Sequence, residues 1–153
     1  MEFVNLTRHT GIGSNCYWLS VGGKNIILDA GSDPKVDGIG STPDLRPLPP
    51  GTVDAIIITH AHQDHIGSLP VVTRQEQRCP IFMTPATAAI ATIMLHNSVN
   101  VMMRQREELG LMEYPLYTHR SVDLCAQSWV HCGLRKRYNL TGERSENDDE
   151  VTF

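Results

Sequence analysis

Residues 53–59 form a short, β-rich and nearly all-apolar run, and the next six residues read His60-Ala61-His62-Gln63-Asp64-His65. A run of this length with no polar face reads as a strand buried on both sides of a sheet. That commits the chain to a layered fold, with other elements covering both faces. The cluster that follows sits at the mouth of this strand. A structural histidine has no need of another two residues away. A metal site does, because imidazole and carboxylate are the groups that zinc, iron and manganese accept. In extended backbone His60 and His62 fall on the same side, so they can share one ion. Asp64 and His65 lie where a helix begins and can face a second. Two ions about 3.5–4 Å apart clamp the attacking and leaving oxygens of a displacement.

Residues 2–7 alternate weakly and read as a first edge strand, and Cys16 to Val21 as a second. Gly22-Gly23 is a hairpin connection that tolerates positive φ. Asn25 to Asp29 is the returning strand, and residues 32–51, rich in proline and glycine, form a long loop. Asp29 ends one strand and the histidines end another. If those strands are neighbours, a carboxylate meets ligating imidazoles and can orient a ring N–H. Asp29 before Ala30-Gly31 can also be read as a simple turn former. After the cluster, Ile66 to Arg78 reads as a helix interrupted at Pro70, and Pro80 to Met83 as a short strand. Thr84-Pro85 opens a helix, with threonine as cap and proline in the first turn. Ile90, Ile93, Met94 and Val101 recur at helical spacing and are expected to be its core face, with Gly110 at its end. Thr118 caps a further helix with Val122, Ala126 and Val130 along one side. Residues 138–149 read as loop, with a solvated acidic turn at 146–150. Val151 to Phe153 reads as the start of a strand. Strands lead and helices follow, the pattern of an α/β domain of layered type.

The function classes that remain are few. The formal net charge is −4, which does not advertise a basic nucleic-acid surface, although bound metal ions would add local positive charge. Cys16, Cys79, Cys125 and Cys132 form no C-x-x-C pair, so neither a zinc ribbon nor a disulfide framework is expected. Four free thiols suit a reducing compartment, here the cytoplasm. Residues 1–6 lack a basic stretch ahead of an apolar run, so no signal peptide is expected. No run approaches 18 apolar residues, so no membrane span is expected. Ser14, Ser68 and Cys132 sit in no nucleophile motif. His9, His96, His119 and His131 have no partner at ligand spacing and are expected to lie singly on the surface.

Ile27-Leu28-Asp29-Ala30-Gly31, followed by Ile58-Thr59-His60-Ala61-His62-Gln63-Asp64-His65-Ile66-Gly67, resembles the metallo-β-lactamase superfamily. The later stretches Pro80–Thr87, Met94–Ser98 and Pro115–Thr118 look like its β-CASP branch of RNA-processing nucleases. The resemblance implies an αββα sandwich with a two-metal, usually zinc, hydrolytic site at one edge of the sheets. It implies His60 and His62 as ligands of the first ion and Asp64 and His65 as ligands of the second. Asp29 is then the supporting aspartate, and Asp64 and Asp29 are the catalytic carboxylates. The implied reaction is cleavage of RNA phosphodiester bonds by water activated between the two metals.

Three later motifs of the family are missing from the sequence: a Gly-His, a Gly-Asp with a bridging aspartate, and a final histidine. Residues 1–153 therefore read as the amino-terminal part of the domain, an incomplete sandwich. Metal affinity should be low in the isolated chain and its hydrolase activity slight. A sheet face left open favours self-association or a covering partner chain. Two other functions compete with an RNA nuclease. One is a small-molecule ester, thioester or lactone hydrolase on the same fold. The other is a non-catalytic half-domain that binds a partner.

Overall fold

The glycine pair at 22–23 sets the first turn. Gly22 and Gly23 have φ of 57° and 73°, the doubly positive pattern that matches strand twist in a two-residue hairpin. It joins β2 (Tyr17–Val21) to β3 (Lys24–Leu28). The computed structural model describes residues 1–8, 13–76 and 79–146. The expected surface position of His9 and the expected strand at 151–153 lie outside these, as does most of the acidic run 146–150. The sheet is completed by β1 (Glu2–Asn5), β4 (Ala55–Ile57), β5 (Ile81–Met83) and β6 (Trp129–His131). Its six strands lie in sequence order. β1, β2 and β3 pair antiparallel, whereas β3, β4, β5 and β6 run parallel. The carboxyl ends of the last four strands therefore open on one edge of the sheet.

Register explains which face is covered. Val4, Trp18, Ile27, Ile56, Ile81 and Trp129 stand side by side across the six strands. All six belong to the main hydrophobic core or pack against it. The helices of the β4–β5 and β5–β6 crossovers supply much of that core, and loop residues such as Leu6, Leu48 and Tyr117 the rest. The opposite row, Tyr17, Leu28, Ile57, Phe82 and Val130, is mostly half-buried. Phe82 alone is sealed there, at 1% exposure. The turn at Gly142 lies over it, where an added Cβ would stand 3.0 Å from Val130 and 3.4 Å from Phe82. Among the described residues there is thus one sheet with helices on one face. The carbonyl-to-amide ladder accounts for the parallel strands, and their apolar runs are those of a sheet meant to be covered.

The helical region departs from the sequence expectation in three ways. The helix read over residues 66–78 is two helices, α1 (Gln63–Ile66) and α2 (Leu69–Gln75). The break falls at Gly67-Ser68, and Pro70 sits in the first turn of α2, where its missing N–H costs nothing. The second departure is in α3 (Pro85–Leu109). Its ends are as expected: Thr84 accepts from the Thr87 amide, and left-handed Gly110 closes it. Its core face is not. Ile90, Ile93 and Val101 are exposed, Ile93 at 72%, and Met94 is half-buried. The buried arc is Ala88, Ala91, Leu95, Val99 and Met102. Small alanines let the helix approach the sheet, so packing chose the less hydrophobic stripe. The third departure is Val130, which lies in β6 and not on α4 (His119–Ala126). α4 begins with the expected Thr118 cap, reinforced by Ser121 as a capping box.

One helix is long and apolar by composition, although it contains no unbroken apolar run of that length. α3 has 25 residues and a window of mean hydropathy 1.2, long and apolar enough to cross a bilayer on those measures. A third of that window is buried, and Ala91, Leu95 and Val99 fix it to the sheet as a core helix.

Candidate metal centre

Three loops meet at the open edge. Asp29 amide donates to the Ile57 carbonyl at 2.9 Å and Ala30 amide to that of His65 at 2.7 Å. Gly31 amide donates to the Asn15 carbonyl at 2.9 Å, and Asn15 amide to that of Asp64 at 2.8 Å. These bonds tie residues 13–16, 29–32 and 59–65 into one unit. Gly31 is required where it stands, because a Cβ there would collide with the Asp64 carbonyl. Asp29 itself has φ of 59°, a left-handed conformation that aspartate tolerates better than most residues.

Asp29 is 4% exposed and its carboxylate is fully engaged. Oδ1 accepts from the Thr59 amide at 2.9 Å and faces the Thr59 hydroxyl at 3.0 Å. Oδ2 lies 2.8 Å from His65 Nδ1. A proton on that Nδ1 leaves His65 Nε2 as the free lone pair. Nε2 stands 3.6 Å from Asp64 Oδ2. The first pair repeats the logic. Thr59 Oγ1 lies 3.0 Å from His60 Nδ1, and His60 Nε2 stands 3.1 Å from His62 Nδ1. The His60 and His65 rings are 4.0 Å apart between centroids, so the two pairs adjoin.

Distances decide whether this donor set fits metal ions. Two ligands each about 2.1 Å from a tetrahedral ion stand about 3.4 Å apart. The two pairs, at 3.1 and 3.6 Å, bracket that value. Each pair is also backed by an oxygen that fixes a ring, the arrangement that ligating histidines need. Among the described residues no three His, Cys, Asp or Glu side chains converge on one point. The donors are therefore two plus two, and they fit a pair of ions that draw further ligands from elsewhere.

Two participants were not among the site residues expected from the sequence. Thr59 braces His60 and Asp29 together. Asn15 Nδ2 lies 3.2 Å from Asp64 Oδ2 and 3.1 Å from His65 Nε2, and Tyr17 donates its hydroxyl to Asn15 Oδ1 at 3.1 Å. The hairpin register was the available signal: Tyr17 pairs with Leu28, which sets Asn15 opposite Ala30. Gln63 points away from both donor pairs. Its amide bonds Ser32 and Ser98 and lines a cavity of about 310 Å³ with Asp33 and Tyr117. Burial, with the Asp29 charge adding, raises the Cys16 thiol far above its ordinary range, so the nearest sulfur is a neutral packing group.

Of the other histidines, His131 is exposed at the end of β6. His96 and His119 are not solitary. Their Nδ1 atoms stand 2.8 Å apart, and His96 Nε2 lies 3.4 Å from Asp123. The packing of α3 on α4 makes that contact, which spacing along the chain could not show.

The fold and the paired donors are those of a known family. The metallo-beta-lactamase superfamily model matches residues 9–87, and the chain belongs to that superfamily. Membership implies metal ions, often zinc. Over 102 residues the chain is 38% identical to endoribonuclease ysh-1 of Neurospora crassa, a match covering 66% of this chain and 12% of that protein. It is 36% identical over 91 residues to cleavage and polyadenylation specificity factor subunit 3-I of Arabidopsis thaliana, covering 59% and 13%. The chain thus matches only a small part of the length of these two proteins. An archaeal metallo-β-lactamase superfamily protein from Sulfolobus tokodaii superposes with a TM-score of 0.52 at 18% identity, over 93% of this chain and 52% of that one. That likeness shows the shared fold.

Proposed function

We propose that residues 1–153 are the amino-terminal part of a metal-dependent ribonuclease domain that cleaves RNA phosphodiester bonds. The observation that carries this reading is the pair of two-donor sets at ligand spacing on the open sheet edge. The names of the curated relatives supply the substrate class. His60 Nε2 and His62 Nδ1 would hold one zinc ion, and Asp64 Oδ2 and His65 Nε2 a second. Bound there, the ions would supply an activated water and neutralise phosphoryl oxygens. The chain's own residues set the geometry. Asp29 keeps the His65 proton on Nδ1, and Thr59 orients His60. Asp64 Oδ1 has no hydrogen-bond partner among the described residues, so it would be free to accept a proton. Asp29, held by three donors, positions His65. The remaining ligands would come from the family's later motifs, so the isolated chain would have little hydrolase activity. Its free thiols suit work in a reducing compartment, cytoplasm or nucleus.

Calorimetric titration with zinc tests the assignment. H60A/H62A should abolish one binding event and D64A/H65A the other, with the fold retained. Binding that survives both double variants would overturn it. Efficient zinc-dependent RNA cleavage by the 153-residue chain would overturn the expectation of an incomplete centre.

A further inference from the structure

The loop that leaves β6 carries a basic cluster directly ahead of the acidic run 146–150. Residues 133–146 contain Arg135, Lys136, Arg137 and Arg144 against Glu143 and Glu146, whereas the whole chain has a net charge of −4. Elsewhere many cations are spent on the fold. Lys24 pairs with Asp54 and Arg46 with Asp44. Arg8, Arg74 and Arg106 donate to the carbonyls of Thr42, Leu116 and Tyr114. Arg135, Lys136 and Arg144 are exposed and make no ion pair among the described residues.

This loop is built, not slack. Tyr138 bridges to Arg144. Asn139 Oδ1 accepts from the Thr141 amide at 3.1 Å, the Thr141 hydroxyl at 2.7 Å and the Glu143 amide at 2.9 Å. The Gly133 amide donates to the Tyr138 hydroxyl at 2.8 Å. Arg135, Lys136, Arg137 and Arg144 line a shared concavity. Topology fixes where the loop starts, and its Gly142 turn folds back over Val130 and Phe82. β4, β5 and β6 are parallel neighbours, so the loop after β6 opens on the same edge as the histidine cluster after β4. Two strand spacings of about 4.8 Å separate those exits, roughly 10 Å.

We propose that Arg135, Lys136 and Arg144 form a phosphate-binding patch that grips single-stranded RNA beside the sheet edge that carries the metal centre. This rests on the ribonuclease reading above and adds where the strand lies. The contacts would be to the backbone, without sequence preference, because guanidinium and ammonium groups on an open surface read charge and not base edges.

The test is fluorescence anisotropy with a labelled RNA of roughly 12 nucleotides, in chelator, across a salt series. Each phosphate neutralised on a single strand contributes about 0.7 to the slope of log affinity against log salt. R135A/K136A/R144A should weaken binding about tenfold or more and lower that slope by about 2. R135K/R144K, which keeps the charge, should retain most of the affinity. Wild-type binding with a triple variant within twofold would overturn the patch and leave the ribonuclease reading standing. Failure of the wild-type chain to bind RNA would overturn the patch and remove the support for an RNA substrate. Binding of RNA by H60A/H62A as well as by wild type would separate this surface from the metal site.

Discussion

Replacing Asp29 by asparagine isolates what the buried carboxylate does for the metal centre. Asparagine has the same shape and tolerates the left-handed φ of 59°. Its carbonyl can still accept from the Thr59 amide, now at 2.9 Å from Oδ1. The other terminus changes from an acceptor to an NH₂ group, 2.8 Å from His65 Nδ1. Two donors then face each other. One relief moves the histidine proton from Nδ1 to Nε2, which faces Asp64 Oδ2 at 3.6 Å, and it would turn the Asn15 amide away from its 3.1 Å contact. The lone pair that would bind an ion is gone from that position. Loss of such a supporting partner typically lowers metal affinity 10–100-fold, which is about 1.4–2.7 kcal/mol. Zinc titration calorimetry of D29N against wild type measures it, and circular dichroism checks the fold. The weakening should be confined to the event that D64A/H65A removes. Affinity within twofold of wild type, in a folded D29N chain, would refute the argument that Asp29 sets the His65 tautomer.

The assignment of the α3 faces predicts that Leu95→Ala costs about 2–5 kcal/mol in denaturant unfolding, whereas Ile93→Ala stays within about 0.5 kcal/mol; equal losses would show that the helix is rotated. Gly31→Ala forces a methyl group into the Asp64 backbone, so it should destabilise by about 3 kcal/mol or more and abolish zinc binding at the second pair; normal stability and binding would contradict the close approach. Burial, then the Glu76 and Asp54 charges, pushes the Cys79 thiol up to about 12. The folded pKa thus lies above the unfolded one, so its stabilising effect is complete below about pH 8.5 and is lost as pH rises towards 12. A thiol-reactive chromophore at pH 8 should therefore label Cys132 quickly and Cys16, Cys79 and Cys125 slowly until denaturant is added. Fast labelling of all four in the native chain would sink it.

Much of the working edge was legible before any coordinates. The strand before His60, the Gly22-Gly23 hairpin, the ends of α3 and the position of Asp29 all follow from short-range rules. In each, the residues that specify the feature lie within a few positions of it. What escaped depends on contacts between separate elements. The buried face of α3 was misread because alanine carries little hydrophobic signal, while Ile90 and Ile93 carry much. The choice between those stripes was made by how closely the helix could approach the sheet. β6 is three residues long and follows α4 after a two-residue turn, so Val130 looked like one more helical position. Asn15 and the His96–His119 contact join segments far apart in sequence, where spacing has nothing to say.

The parallel run of β3 to β6 has a practical corollary at the other end of the sheet. The Gly22-Gly23 turn, the Lys24–Asp54 pair and the starts of β5 and β6 all lie at the amino ends of these strands. Five residues of β3, roughly 16 Å of extended chain, separate the glycine turn from Asp29. A fluorophore, affinity peptide or whole domain spliced between Gly22 and Gly23 would hang from the rear of the molecule. The front could then be watched, immobilised or randomised residue by residue without disturbing the point of attachment.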